Sequence, residues 1–294
     1  MSLSLFLSEP APASKKPPVD LLHETVTDLA RKMPLDGSGI YAVPSDNDLR
    51  EWTQILTLFR TQAYDSCQSL LRKFSYTLVQ LKDPQSLNVY DVFREDTPVR
   101  RGWGTYIFNR NHAKRLIIQV NHPIDDGGIL SLSTQLFRRT NAEWLLIAGT
   151  SRSAVAGKFS SDVGRLKRSV FQRWHEILSD LTHVSLSLHA FNEQSYPAPI
   201  RSNDIIVSNG KTTDEQWGIS QISLAFRDTL RAAGFSCSIA MYEAGLARLA
   251  GGWNPQGVFS NDSVGFGHWL YVELSARIRS QLSMHPEFFA SLDR

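Results

Sequence analysis

Two histidines, a pair of adjacent aspartates and a late glutamate carry the chemistry this sequence offers. Residues 116–128, LIIQVNHPIDDGG, run five mostly apolar, β-favouring positions into His122, two carboxylates and two glycines. Residues 184–192, VSLSLHAFN, and residues 268–279, HWLYVELSARIR, are built to meet them. A hydrolytic zinc site needs about three protein ligands and one open position. Imidazole nitrogen and carboxylate oxygen suit that metal, and His122, Asp126 and His189 supply two nitrogens and one oxygen. Bound zinc lowers the pKa of its water towards roughly 7. A carboxylate outside the ligand set must then move protons between that water and the leaving amine. Glu273, an ionisable group closing an apolar strand, is the candidate. Arg152 is suited to a developing oxyanion or to a substrate carboxylate through its planar fork. Thr150, Asn192 and Asn254 are candidate substrate contacts.

These residues must be positioned by the elements around them. Apolar strands alternate with amphipathic helices, which predicts an α/β fold: a mostly parallel central sheet in three layers, with helices on both faces. Ligands of such sheets sit beyond the carboxyl ends of the strands. Five strand ends would therefore deliver His122, Thr150 with Arg152, His189 with Asn192, Ser208 with Asn209, and Glu273 to one edge. The strands expected at residues 102–108 and 116–120, joined by a polar turn, predict a hairpin. The stripe Val163, Leu166, Val170, Trp174, Ile177, Leu178 and Leu181 predicts a helix over residues 162–181. His175 is expected on this helix, read as a surface helix. Asp214 is expected to cap a later helix.

Residues 1–19, rich in Ser, Pro, Ala and Lys, predict a flexible N-terminal arm. Residues 20–100 predict a mainly helical segment packed on the main domain, with a strand at residues 76–81. Residues 101–294 predict the α/β domain that bears the site. The net charge of +2 and the absence of long basic blocks give no footprint for nucleic acid. No apolar run approaches the roughly 20 residues of a membrane span, and no signal peptide is expected. Two distant cysteines form no disulfide framework, so a reducing, cytoplasmic setting is expected.

The order of a His with carboxylates after an early strand, a second His after a later one and a Glu near the end resembles the zinc carboxypeptidase superfamily. The resemblance spans residues 103–279 and rests on NHPIDDGG, IAGTSR, SLSLHAFN, IIVSNG and YVELSARIR. It is nearest the N-formylglutamate amidohydrolase-like group. It implies one zinc per chain, His122 and His189 as ligands, Glu273 as general base and Arg152 bordering the site. The acid has two places. Carboxypeptidases put it three residues after the His, here Asp125. Other members put it later, which favours Asp126, where Gly127 and Gly128 let the chain turn around a ligand. Members of the superfamily cut amide bonds next to a carboxylate. The implied substrate is an N-acyl amino acid, a γ-glutamyl compound or a cell-wall peptide with a free carboxylate.

Two other functions compete. A serine esterase would place G-x-S-x-G between strand and helix, and Gly149-Thr150-Ser151 is not that motif. A non-catalytic protein on the same fold would bind a carboxylate-bearing ligand or a protein partner and would not depend on Glu273.

Overall fold

The structure is a computed structural model and describes residues 21–84, 86–210, 220–240 and 249–284. The N-terminal arm expected at 1–19 and the cap expected at Asp214 lie outside the described residues.

Three helices come first: α1 (Leu21–Arg31), α2 (Asp46–Arg60) and α3 (Tyr64–Arg72). Ser45 caps α2 with Asp48 in a capping box, which satisfies two backbone donors that the first turn would leave unpaired. Strands β1 (Tyr76–Lys82) and β2 (Val89–Glu95) follow, then β3 (Thr105–Asn109) and β4 (Lys114–Val120). After α4 (Ile129–Arg139) come β5 (Ala142–Ile147), α5 (Val170–Leu178), β6 (Val184–Phe191) and β7 (Ile205–Ser208). The chain continues through α6 (Gln221–Ala232), β8 (Cys237–Ile239), α7 (Pro255–Phe259), β9 (Trp269–Ser275) and α8 (Ala276–Met284).

The nine strands of the described residues join one mixed sheet in the order β1-β2-β3-β5-β4-β6-β9-β7-β8. Pairing is parallel across β5-β4-β6-β9 and between β7 and β8, and antiparallel elsewhere. The sheet is thus evenly mixed where a mostly parallel one was expected. The expected hairpin does not form. β5 inserts between β3 and β4, antiparallel to one and parallel to the other. β5 is apolar on both faces, which suits an interior strand. The segment before residue 101 holds β1 and β2 as well as helices, and both strands belong to the same sheet.

Successive residues of the central strands enter different cores. Leu145 and Ile147 of β5 pack with Ile118, Val120, Leu136 and Phe137. Trp144 and Leu146 pack with Trp52, Phe59, Phe93 and Trp174. Burying each such side chain contributes about 1.5–3 kcal/mol. α2, α3 and α5 close the second, aromatic core, where Tyr106 stacks on Trp174 with centroids 4.4 Å apart. Among the described residues, no helix is long and apolar enough to cross a membrane.

Candidate metal centre

Strand register brings the candidate residues together. Leu188 of β6 pairs with Val120 of β4, and His189 of β6 pairs with Glu273 of β9. The parallel run β4-β6-β9 therefore ends with His122, His189 and Glu273 side by side. Beyond β4 the chain turns tightly, with Asp126 N–H donating to His122 O at 3.1 Å. Gly128 follows with φ 83°, a left-handed conformation that glycine adopts without strain, and α4 starts there. That turn points Asp126 back at both rings.

One carboxylate oxygen is the focus. Asp126 Oδ2 lies 3.3 Å from His122 Nδ1 and 3.4 Å from His189 Nδ1. The ligand atoms of the three residues lie within 4.8 Å of one another, and all three side chains are buried. The opposite ring nitrogens are also engaged. His122 Nε2 is 2.9 Å from Asp162 Oδ1, and His189 Nε2 is 3.0 Å from Ser187 Oγ. Partners on the outer nitrogens fix ring orientation and leave Nδ1 to the centre, as around metal-bound histidines. Two ring nitrogens facing a single carboxylate oxygen form a donor set that fits a divalent cation.

The electrostatics follow from burial and charge. Burial opposes protonation of His122, but hydrogen bonds to Asp126 and Asp162 outweigh it and raise its pKa. Burial dominates at His189 and lowers its pKa to about 4. Burial alone would raise Asp126, yet the two histidines hold its carboxyl far below the usual range. Glu273 goes the other way: burial pushes it up to about 7, against the hydrogen bond from Tyr271. Tyr271 OH donates to Glu273 Oε1 at 2.7 Å. Among the described residues, the buried Glu273 Oε2 has no hydrogen-bond partner. A buried carboxylate oxygen facing a cavity is one that a group bound in that cavity would satisfy.

That cavity has a volume of about 110 Å³ and is lined by the three candidate ligands, Glu273, Tyr271 and Asp162, with Arg152, Arg165 and Asn254 at its sides. The chain matches no family model, no curated protein and no solved structure.

The other expected residues divide. Of the two neighbouring aspartates, Asp126 joins the cluster. Asp125 accepts from Ser151 Oγ at 2.6 Å and from Arg152 N at 2.9 Å, which pins the loop after β5. Arg152 Nη2 donates to Asp126 Oδ1, so its fork holds a candidate ligand. Asn254 lines the cavity, but its oxygen caps α7 by accepting from Gln256 N. Thr150 is buried away from the cavity and donates to Pro34 O at 3.2 Å. Asn192 is exposed and caps a short 3₁₀ turn. Ser208 and Asn209 sit at the opposite edge, because β7 runs antiparallel to β9 and pairs Ser208 with Tyr271. His175 is on α5 and fully buried, on the face that the helix turns inward.

Asp162, Tyr271, Ser187 and Arg165 were not anticipated. Asp162 fell at the start of the expected helix over residues 162–181. That helix begins only at Val170, because Ser169 caps it by accepting from Gln172 N. The preceding turn swings Asp162 onto His122. Gly164 was the readable signal: a Cβ there would stand 3.3 Å from His122 Nε2. Tyr271 lies two residues before Glu273 and so shares its face of β9.

Proposed function

We propose that the chain is a zinc-dependent hydrolase with one ion per chain, held by His122, Asp126 and His189. Its substrate is an amide with a nearby carboxylate: an N-acyl amino acid, a γ-glutamyl compound or a cell-wall peptide. On this reading the nine-stranded sheet is the middle of a three-layer fold of the zinc carboxypeptidase kind, and the two free, buried cysteines suit the cytoplasm. The carrying observation is the convergence of His122 Nδ1 and His189 Nδ1 on Asp126 Oδ2 beside Glu273 Oε2, which has no hydrogen-bond partner among the described residues.

Zinc bound there supplies Lewis-acid polarisation of the scissile carbonyl and a water acidic enough to react at neutral pH. The rest belongs to the chain. Glu273, pushed up to about 7, is poised to take a proton and return it to the leaving nitrogen near neutrality. Tyr271 keeps the Glu273 carboxyl oriented by holding Oε1, which leaves Oε2 for the proton. Arg152 anchors Asp126 from the side away from the rings. The support for an anionic substrate group comes from Arg165. Its exposed guanidinium borders the cavity 5.3 Å over the Phe159 ring and, among the described residues, pairs with no carboxylate.

Elemental analysis of the purified protein tests the centre. About one zinc per chain is expected, with little in His122→Ala or His189→Ala. Glu273→Gln is expected to keep the metal and lose at least about 100-fold in turnover of acyl-amino acid and γ-glutamyl amides. Zinc-free wild type after supply of the metal would sink the proposal. Full activity in Glu273→Gln would remove the base assignment.

A further inference from the structure

Behind the cavity a chain of buried side-chain amides runs from β6 to α5. Ser187 Oγ, 3.0 Å from His189 Nε2, donates to Asn121 Oδ1 at 2.9 Å. Asn121 Nδ2 donates to Gln256 Oε1 at 2.9 Å, and Gln256 Nε2 donates to Gln172 Oε1 at 2.7 Å. Gln172 Nε2 then donates to Glu176 Oε1 at 3.1 Å. Ser187, Asn121, Gln256 and Gln172 are each 3 % exposed or less, so water offers them no alternative partners.

Every link points the same way, and the far end fixes that sense. Glu176 is a carboxylate that accepts. Two backbone carbonyls assist it, Pro255 O at 3.4 Å from Gln172 Nε2 and Val163 O at 3.4 Å from Gln256 Nε2. Neither a carbonyl nor an ionised carboxylate can donate. Both glutamines must therefore turn their NH₂ groups outward and their oxygens back towards the site. Asn121 then gives its NH₂ to Gln256 and its oxygen to Ser187. The single hydroxyl proton of Ser187 goes to Asn121, and only lone pairs remain for His189 Nε2. A neutral imidazole facing a lone pair carries its proton on that nitrogen.

The geometry points to a tautomer clamp: Ser187 and Asn121 are positioning residues that hold His189 in its Nε2–H form, leaving the Nδ1 lone pair free for a metal. The clamp has an opponent. Asp126 Oδ2, 3.4 Å from Nδ1, would draw the proton to Nδ1 and close the ligand position with an internal hydrogen bond. The backbone of Gln256 is braced as well, since His175 Nε2 lies 2.9 Å from Gln256 O. The role assigned to the clamp rests on the zinc centre proposed above, whereas the tautomer itself is measurable without metal.

Nitrogen-15 NMR of the imidazoles in the full, metal-free chain tests it, with the His189 signals assigned by their loss in His189→Gln. The wild type is expected to show His189 protonated on Nε2. Ser187→Ala is expected to shift the ring towards Nδ1–H and to weaken zinc binding about 10- to 100-fold. Ser187→Thr, which keeps the hydroxyl, is expected to restore both. His189 protonated on Nδ1 in the wild type overturns the clamp, and that spectrum needs no variant to fold. An unchanged tautomer in a folded Ser187→Ala also overturns it. Failure of the wild type to bind zinc, with the tautomer still following Ser187, overturns the metal-centre reading and leaves the clamp standing.

Discussion

At the scale of single residues, the contest between burial and neighbouring carboxylates sets which histidines are charged. His183 immediately precedes β6 and has a carboxylate on each nitrogen, Glu143 Oε2 at 3.1 Å and Asp180 Oδ1 at 2.8 Å. Burial disfavours its charge, but the two carboxylates outweigh that and raise its pKa above the ordinary 6.5. A raised folded pKa adds stability that is complete below 6.5 and is lost as pH rises through the folded value. Glu143, lowered below its ordinary 4.5 chiefly by the His183 hydrogen bond working against burial, adds stability that is lost as pH falls through its own folded value. The triad should stabilise most between pH 4.5 and 6.5. His183→Gln is expected to cost about 2 kcal/mol in that window. The deficit should shrink as pH rises. Urea unfolding of both proteins across pH checks it, and a deficit that grows towards alkaline pH would refute the charged pairing.

At the scale of elements, the end of β5 is held by a close backbone approach. A Cβ on Gly149 would stand 2.3 Å from Gly104 N and 2.6 Å from Gly102 C. Backbone atoms on both sides leave nothing flexible to give way. The same turn leads into Ser151 and Arg152, whose hydrogen bonds to Asp125 and Asp126 tie the β5 loop to the β4 loop. Gly149→Ala is expected to destabilise by about 1–3 kcal/mol. It should also weaken the zinc binding proposed above, because Arg152 is displaced from Asp126. Denaturant midpoints and metal titration measure the two effects. An unchanged midpoint would mean that the strands part without cost at this point.

At the scale of the molecule, the described residues before Arg101 complete the sheet and contribute to both of its large cores, Leu22, Val26 and Val92 to the first and the aromatic cluster to the second. β2 pairs with β3, and Trp52, Ile55, Phe59 and Leu71 share a core with Trp144 and Trp174. A chain starting at Arg101 would expose the β3 edge and strip the aromatic core of its cover. It is expected to aggregate instead of giving a monomer with cooperative unfolding. Size-exclusion chromatography and thermal circular dichroism decide the point. A folded, zinc-binding 101–294 fragment would make the N-terminal segment a separable unit.

Local chemistry was legible in the sequence, because it is written in short stretches. LIIQV before His122, VSLSL before His189 and the apolar run before Glu273 announce strands ending in functional groups, and the glycines after Asp126 announce the turn that aims it. The amphipathic helices around them were legible from spacing, but not their limits: the helix expected over residues 162–181 spans only Val170–Leu178. Strand direction and strand order were not. Nothing in IIVS tells that β7 runs against β9 and carries Ser208 to the wrong edge, nor that β5 parts β3 from β4. Those features depend on which apolar faces pack together, a property of contacts far apart in the chain. Asp162 on His122, Tyr271 on Glu273 and the amide chain from Glu176 to Ser187 belong to the same class. By itself the sequence determined which residue types sit at strand ends. The tertiary structure alone decided which of them meet, because a hydrogen bond is made across space and its partners need not be neighbours in the chain.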